Sequence, residues 1–520
     1  MSELYPYTVT TEGIEDTDSL WDDLLSSSST SETIPDRAVE VANERAINPR
    51  NTVYLLTEVE AQKLKEDPRV VDVANIEALV PTKFAFQDGN FNKTTASGGE
   101  KTNWGLLRHT SATNVYGTST ADPGGTYDYV LDGTGVDVVI IDSGIQADHP
   151  EFQDASGASR VQQINWFTAS GVPGTMPTGH YTDYDGHGTH VAGTVAGKTF
   201  GWAKNAHIYS IKLSGLEGAT DPNGGISVFD AFDCILGWHN AKTNGRPTVI
   251  NNSWGYNIYW DTSLNQMTQN LVNYFSITGG SYRGTAWVGT TKDTAKGHTG
   301  DQRFPNTLYA FEYNIPSVDA DVSLLIAAGV IVCNAAGNTG MKADVSGGVD
   351  YNNFITVTSL GTIYYHRGSS PNCGSGNGFD VGSMGTAFVS TTEARTPSSV
   401  CGPNVDVYAA GQNIMSAMST TNEHGASTSL YYLNSSYRQA VIGGTSMASP
   451  QVAGICALLK QVYPDWTPSQ IKRWILANSQ SILYTTGLAN DYTSTVSVQG
   501  GDVKIINMPM KGQKKYIISG

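Results

Sequence analysis

Cysteine is scarce in this chain: five residues among 520, an odd number and too few for a disulfide scaffold. Cys373 and Cys401 flank a Gly/Ser-rich stretch and could close it, unless a reducing compartment keeps them apart. Basic charge is short as well. Lys and Arg number 31 against 48 Asp and Glu, a net charge of −17, which argues against nucleic acid, whose phosphates need a basic face. Long apolar runs are missing. The most apolar uncharged stretches, 322–338 and 439–459, are broken by Gly, Ser and Asn, so no membrane span is expected. The N-terminus, MSELYPYTVTTEGIEDTDSL, has neither the basic start nor the apolar segment of a Sec signal peptide. What is there suffices for a core: 39% hydrophobic residues, with ten Trp and 26 Tyr. The length exceeds one ordinary core, so a main domain with additions is expected.

The acid is unevenly spread. Residues 1–50 hold eleven Asp and Glu, three Arg and no Lys, which is −8 of the −17, and read as a flexible acidic leader. From Asn51 the pattern changes. Thr52, Val53, Tyr54, Leu55 and Leu56 read as a strand, and Thr57 with Glu60 makes a T-x-x-E capping box at a helix start. That helix should stop before Pro68, and Val70, Val71, Val73 and Ile76 suggest a second strand. Residues 51–86 thus form a small α/β module, and 87–102, rich in Gly, Asn, Ser and Thr, a linker. The run VDVVII at 136–141 suits a strand buried on both faces of a parallel sheet. Similar runs at 207–213, 248–251, 330–333 and 354–357 alternate with helical stretches such as 317–328 and 449–462. The fold class is therefore α/β, a mostly parallel sheet flanked by helices.

Three segments carry chemistry. Asp142 directly follows VDVVII, at the strand end where catalytic groups gather in parallel sheets. His187 sits in DGHGTHVAG, and Ser446 in GTSMASP ahead of the helical VAGICALLK. A Ser at the positive end of a helix, among small residues, suits an acyl-transfer nucleophile. Each alone has a plainer reading, as a turn former or a helix cap. His187 and His190 could pair on a metal, but no Glu base lies between them and no third ligand is near in sequence. The conjunction of Asp, His and Ser in that order, each in a Gly-rich setting, favours a hydrolase triad.

Five motifs now stand in order: IDSGIQADHPEF around Asp142, DGHGTHVAGTVAG around His187, NNSWG at 251–255, AAGN ending at Asn338, and GTSMASP around Ser446. In these the chain resembles the subtilisin-like serine proteases, and in motif style their proteinase K branch, over roughly 103–478. Subtilisin has the same Asp…His…Ser order. The resemblance implies Ser446 as nucleophile, His187 as general base and acid, Asp142 as the orienting carboxylate, and Asn338 as oxyanion donor with the Ser446 amide. It implies that Ser253, Trp254 and Gly255 form the edge that pairs with an extended polypeptide substrate. Catalysis in this family needs no cofactor; structural calcium is frequent, but no ligand is assignable here. The stretch TVYLLTEVEAQKLKEDPRVVDVANIEAL resembles the family's inhibitory propeptide, which would act as an intramolecular inhibitor.

Departures from the pattern raise further expectations. Residues 256–315 are an insertion with eleven aromatics, among them Trp260, Trp287 and Phe304, expected to roof the cleft or pack as an accessory flap. Residues 367–402 read as a second insertion, a surface loop. Trp254 is bulkier than the usual aliphatic residue, Gln451 stands where His is common, and Glu151 follows the proteinase K style. The tail, 479–520, reads as two or three strands packing on the domain or on a partner. Two functions compete: a serine endopeptidase made as a zymogen, or a latent or structural assembly component, for example of a virus particle, docked through 256–315 or the tail. The intact triad positions favour the first. The N-terminus points to a cytoplasmic or virion-associated location.

Overall fold

β-Branched and aromatic residues near the N-terminus pair into a sheet. In a computed structural model, Tyr5–Thr11 (β1), Glu40–Glu44 (β2), Asn51–Leu56 (β3) and Val70–Asn75 (β4) run antiparallel in the order β2–β3–β1–β4. Helices Ile14–Leu25 (α1) and Glu58–Leu64 (α2) complete the module. Thr57 and Glu60 form the expected capping box, with Thr57 N donating to Glu60 Oε2 at 2.7 Å and Glu60 N to Thr57 Oγ1 at 3.3 Å. The acidic stretch 1–50 is not a loose leader, since Val9, Leu20 and Leu24 share one core with Tyr54, Leu56, Leu64 and Val73. Thr17, Leu20 and Leu24 recur at helical spacing, a narrow buried stripe on an otherwise acidic helix.

The structure describes residues 3–26, 31–44, 50–75, 82–83, 103–110, 127, 129–171, 174–176, 178–261, 266–269, 273–282, 285–288, 308–312, 315–338, 353–357, 361–364, 378–385, 394–481, 497–498 and 500–508. For 82–83, 257–312 and 353–364 it describes the backbone alone. The linker 87–102 and residue Cys373 lie outside these residues; Cys401 is buried.

The run VDVVII becomes the strand Asp137–Asp142 (β5) of a seven-stranded parallel arrangement. Its companions are Val161–Gln163 (β6), His207–Lys212 (β7), Thr248–Asn252 (β8), Ile331–Ala335 (β9), Phe379–Gly385 (β10) and Val407–Ala410 (β11). The order is β6–β7–β5–β8–β9–β10–β11, every neighbouring pair parallel. Val138 and Ile140 enter one core with helices His187–Ala196 (α3), Thr445–Val462 and Pro468–Asn478, while Val139 and Ile141 enter the other with Val228–Ala241 and Pro316–Ala327. The expected α/β fold, with its mostly parallel sheet between helical layers, is thus present. The chain reverses direction across the sheet at β5, so Asp142 stands at the carboxyl-end crevice where such sheets place ligands. Among the described residues no helix is long and apolar enough to cross a membrane.

Three expected boundaries move. Residues 354–357 do not enter the parallel sheet: Asn353–Val357 pairs antiparallel with Asn273–Tyr282 and with Gly361–Tyr364, inside a seven-stranded sheet built from 257–312 and 353–364. A short β-branched run fits either sheet, and only tertiary pairing decides. The supposed surface loop 367–402 contains β10, buried throughout between β9 and β11. Its glycines disguised it as a loop, but they are there for close approach. A Cβ on Gly382 would meet the Tyr408 ring at 2.4 Å, and one on Gly385 would meet Gln412 Oε1 at 1.9 Å. Nor does the domain stop at 478: Val498, Ile505, Ile506 and Met508 fill its main core, and Ile505 bridges Tyr408 and Gln480.

The N-terminal module rests on helix Pro316–Ala327, where Asn51 Nδ2 donates to Asp321 Oδ1 at 2.9 Å. Gln451 closes the start of the large domain onto helix Thr445–Val462. It accepts from Trp202 Nε1 at 2.6 Å and Asn103 Nδ2 at 3.0 Å, and donates to Asn103 Oδ1 at 2.8 Å. His190 is fully buried in α3 and donates from Nε2 to Ile414 O at 3.0 Å and Ala440 O at 3.2 Å. Burial, with the neighbouring His187, pushes its pKa down to about 3.

Two predictions follow from these buried groups. Gln451→Leu leaves Trp202 Nε1 unsatisfied and takes one hydrogen bond from each end of Asn103, which keeps Phe200 O and the Gly105 amide; it should cost about 2 kcal/mol in chemical denaturation, and a cost near zero would contradict the assignment. For His190, the unfolded chain binds a proton below about pH 6.5 that the native protein refuses until about pH 3. Its stabilising contribution is therefore lost as pH falls through that window. The stability cost of His190→Gln should shrink by on the order of 2 kcal/mol between pH 7.5 and 4.5, whereas a pH-independent cost would contradict it.

Candidate active site

Asp142 closes β5 and His187 opens α3, after Gly186 at φ 103°. His187 Nδ1 lies 2.8 Å from Asp142 Oδ1, and both side chains are fully buried. A carboxylate accepts only, so Nδ1 carries the hydrogen and Nε2 is the basic nitrogen. Nε2 has no hydrogen-bond partner. The Ser143 amide donates to the same Asp142 oxygen at 2.7 Å, holding the carboxylate from its own loop. Glycine at 188 is obligatory here: a Cβ would meet Gly144 O at 2.2 Å and Asp142 Cβ at 3.1 Å.

Ser446 lies in the first turn of helix Thr445–Val462, preceded by Gly444 at φ 135°. That helix packs directly on α3. Ser446 Oγ donates to Ser253 O at 2.7 Å, and Ser253 Oγ donates back to Ser446 O at 2.8 Å. The structure thus brings Asp142 onto His187 and Ser446 onto the 253–255 edge, with the Ser446 hydroxyl turned to Ser253 rather than to His187 Nε2. Asn338 follows β9. Its Oδ1 accepts from Thr445 N at 3.0 Å and Thr445 Oγ1 at 3.1 Å, so Nδ2 is the end left to donate.

The 253–255 edge divides its work between backbone and side chain. Trp254–Gly255 pairs antiparallel with Thr82–Lys83, the chain that leaves the N-terminal module. The Trp254 indole is fully buried, donating from Nε1 to Ile141 O at 2.8 Å and packing on Phe232 and Tyr256.

Two residues escaped the sequence reading. Asp183 is buried and accepts from Ser143 Oγ (2.8 Å), Gly186 N (2.7 Å), Thr189 N (2.8 Å) and Thr189 Oγ1 (2.5 Å). It therefore pins the Asp142 loop to the start of α3. Burial, with Asp185 beside it, pushes its pKa up to about 6, while the four donors oppose that shift by favouring the carboxylate. Thr445 is the second, because it orients Asn338. Asp183 had no signal beyond its place next to a recognised motif, and Thr445 stood inside one without a role assigned to it.

Among the described residues no three His, Cys, Asp or Glu side chains converge on a point that could hold a metal. One cage of carbonyls is filled from within. Lys204 Nζ donates to Lys198 O at 2.9 Å, Thr199 O at 3.3 Å and Gly201 O at 2.8 Å. No residue is assigned to calcium.

Comparison with known proteins agrees with this geometry. The model of the subtilase family matches residues 133–500. An extracellular serine proteinase of Thermus sp. (strain Rt41A) is 26% identical over 428 residues, covering 82% of this chain and 70% of that protein. Alkaline serine exoprotease A of Vibrio alginolyticus is 25% identical over 448 residues, covering 85% of this chain but only 56% of its own length. The crystal structure of fervidolysin from Fervidobacterium pennivorans, described as a keratinolytic enzyme related to subtilisin, superposes with a TM-score of 0.53 at 16% identity. It covers 97% of this chain and 60% of that one, and at such identity shows the fold alone. The expectation of a cytoplasmic or virion-associated protein is overturned by these relatives, one of which is named for its extracellular location. The absent Sec pattern misled, because where a sequence begins does not decide where its protein works. With the family's model matched across most of its length and the motifs gathered at one sheet edge, the chain belongs to the subtilase family of serine proteases.

Proposed function

We propose that this chain is an endopeptidase that hydrolyses peptide bonds through an acyl-enzyme on Ser446, and that it is made as a zymogen. The observation that carries this reading is the buried 2.8 Å Asp142–His187 bond, which leaves Nε2 as an unengaged base. In the reacting complex the Ser446 hydroxyl exchanges its bond to Ser253 O for one to that nitrogen. Oγ then attacks the scissile carbonyl while its proton passes to Nε2, and the imidazolium so formed is stabilised by Asp142. The oxyanion takes hydrogen bonds from Asn338 Nδ2 and the Ser446 amide at the positive end of the helix. Collapse breaks the C–N bond, and Nε2 returns the proton to the leaving amine. Water repeats the sequence to release the acid. No cofactor enters any step.

The substrate is a polypeptide bound extended along 253–255, the mode in which a sheet edge gains one more strand. The pairing of Thr82–Lys83 with Trp254–Gly255 supports the module at 5–75 as an intramolecular inhibitor, since its outgoing chain occupies that edge. Family membership favours this reading over a purely structural component.

A serine-directed fluorophosphonate should label the wild type and not Ser446→Ala; equal labelling would remove the assignment. Asn338→Ala should lower kcat by about 10²–10³ with little change in KM, and a change confined to KM would contradict its oxyanion role. N-terminal sequencing of protein that cleaves polypeptides should find a terminus downstream of Lys83. Full activity from chains that still begin at Met1 would contradict the zymogen.

A further inference from the structure

A buried chain of hydrogen bonds runs behind the nucleophile, and it begins at a missing amide. Pro450 stands inside helix Thr445–Val462. Proline has no N–H, so the helical donor for the carbonyl four residues back, Ser446 O, is absent. Ser253 Oγ supplies a donor there from the substrate edge, at 2.8 Å. Behind Ser253 stands Asn251, whose Nδ2 lies 2.9 Å from Ser253 Oγ and whose Oδ1 lies 2.7 Å from Ser449 Oγ. Ser449 belongs to the same helix as Ser446, so the chain closes on the element from which it began. Asn251, Ser253, Ser446 and Ser449 are all fully buried.

The direction of every bond follows from one end. A carbonyl only accepts, so the single hydrogen of the Ser253 hydroxyl is committed to Ser446 O. The Ser253 oxygen then accepts from Asn251, which sets Nδ2 toward Ser253 and Oδ1 toward Ser449, and the Ser449 hydroxyl donates. The sheet anchors this chain. Asn251 lies in β8 opposite Ile140 of β5 and Cys333 of β9, so its backbone is held from both sides, beside the strand that ends at Asp142. In the resting site two reciprocal bonds join Ser253 and Ser446: Ser446 Oγ to Ser253 O, and Ser253 Oγ to Ser446 O. When the Ser446 hydroxyl turns to His187 the first is given up, and of this pair only the second is left.

We propose that Asn251 and Ser449 are positioning residues for the reaction: by fixing the Ser253 hydroxyl on Ser446 O, they keep the substrate edge in register with the nucleophile during attack. The inference rests on the reading of Ser446 as nucleophile. Residues 253–255 locate the substrate backbone, whereas helix Thr445–Val462, packed on α3, locates Oγ against His187. The Asn251 chain links these two settings. Its loss leaves Oγ beside His187 but lets the scissile carbonyl drift from Oγ, and a misplacement of about 1 Å can cost about a hundredfold in rate. The loss therefore falls on kcat for an extended polypeptide and spares a small reagent that needs only Ser446 and His187.

The test compares two probes on active protein produced from the full-length chain: fluorescein-labelled casein, which lies along the edge, and a small alkyl fluorophosphonate, which does not. Rates are counted per molecule carrying the N-terminus of the active wild type. Asn251→Leu, near in size but without polar side-chain atoms, should lower kcat on casein about ten- to a hundredfold with KM within about threefold, while the labelling rate stays within about threefold. Ser449→Ala frees the Asn251 amide to turn and should lower kcat about three- to tenfold, again sparing the labelling. Both changes cut one chain, so the double variant should match Asn251→Leu alone to within about twofold. Equal losses with both probes would make the two residues merely structural and overturn the proposal. So would an unchanged kcat, or losses that multiply in the double variant. If Asn251→Leu does not fold, Ser449→Ala decides by the same two rates. If Ser446→Ala is labelled like the wild type, the nucleophile reading fails instead, and this inference falls with it.

Discussion

The hydrogen bond between His187 Nδ1 and Asp142 Oδ1 is the contact around which the rest of the large domain is arranged. A buried carboxylate is costly unless donors meet it, and here the imidazole N–H and the Ser143 amide do so. Each partner is fixed by a different element: Asp142 by the end of the central strand, His187 by the first turn of α3. Their separation therefore depends on how that helix meets the sheet. Asp183 clamps the two loops together through Ser143, Gly186 and Thr189, and the glycine at 188 lets them approach. Ser446 arrives from a third element, the long helix packed on α3. Burial of both sheet faces, through Val138 and Ile140 on one side and Val139 and Ile141 on the other, holds the three elements in register.

How legible this was in the amino acids depended on whether a feature is local. VDVVII declared its two-sided burial because every residue of a central strand meets apolar neighbours. Thr57 and Glu60 declared a helix start because a capping box is complete within four residues. The strand Phe379–Gly385 stayed hidden, since its glycines answer to Tyr408 and Gln412, which lie well along the chain. The N-terminal strand and helix hid for another reason. Their buried stripe of Val9, Leu20 and Leu24 is narrow, and the acids around it dominate any composition window. The tail residues Val498, Ile505 and Ile506 looked detached because the core they complete was assembled from segments far upstream.

The site divides in the same way. Asp142, His187, Asn338 and Ser446 stand in short motifs whose residue types state their chemistry. Of the groups that orient them, Thr445 shares the motif of Ser446, whereas Asp183 stands in none. Thr445 fixes Asn338, and Asp183 fixes two loops. The Asp183 carboxylate gathers donors from two loops that meet only in the folded chain, so only the folded chain singles it out. Trp254 shows the converse. Its motif marked it for the substrate edge, yet its backbone pairs with Thr82–Lys83 while its indole fills the core.

The central claim is that Asp142 fixes the tautomer and place of the His187 ring. Nitrogen NMR of the full chain with ¹⁵N-labelled histidine measures this directly, with His187 assigned by its loss in His187→Gln. At pH 8 the account predicts a protonated Nδ1 and an unprotonated Nε2 on His187, with that preference lost in Asp142→Ala. A wild-type ring protonated on Nε2, or a tautomer indifferent to Asp142→Ala, would contradict it.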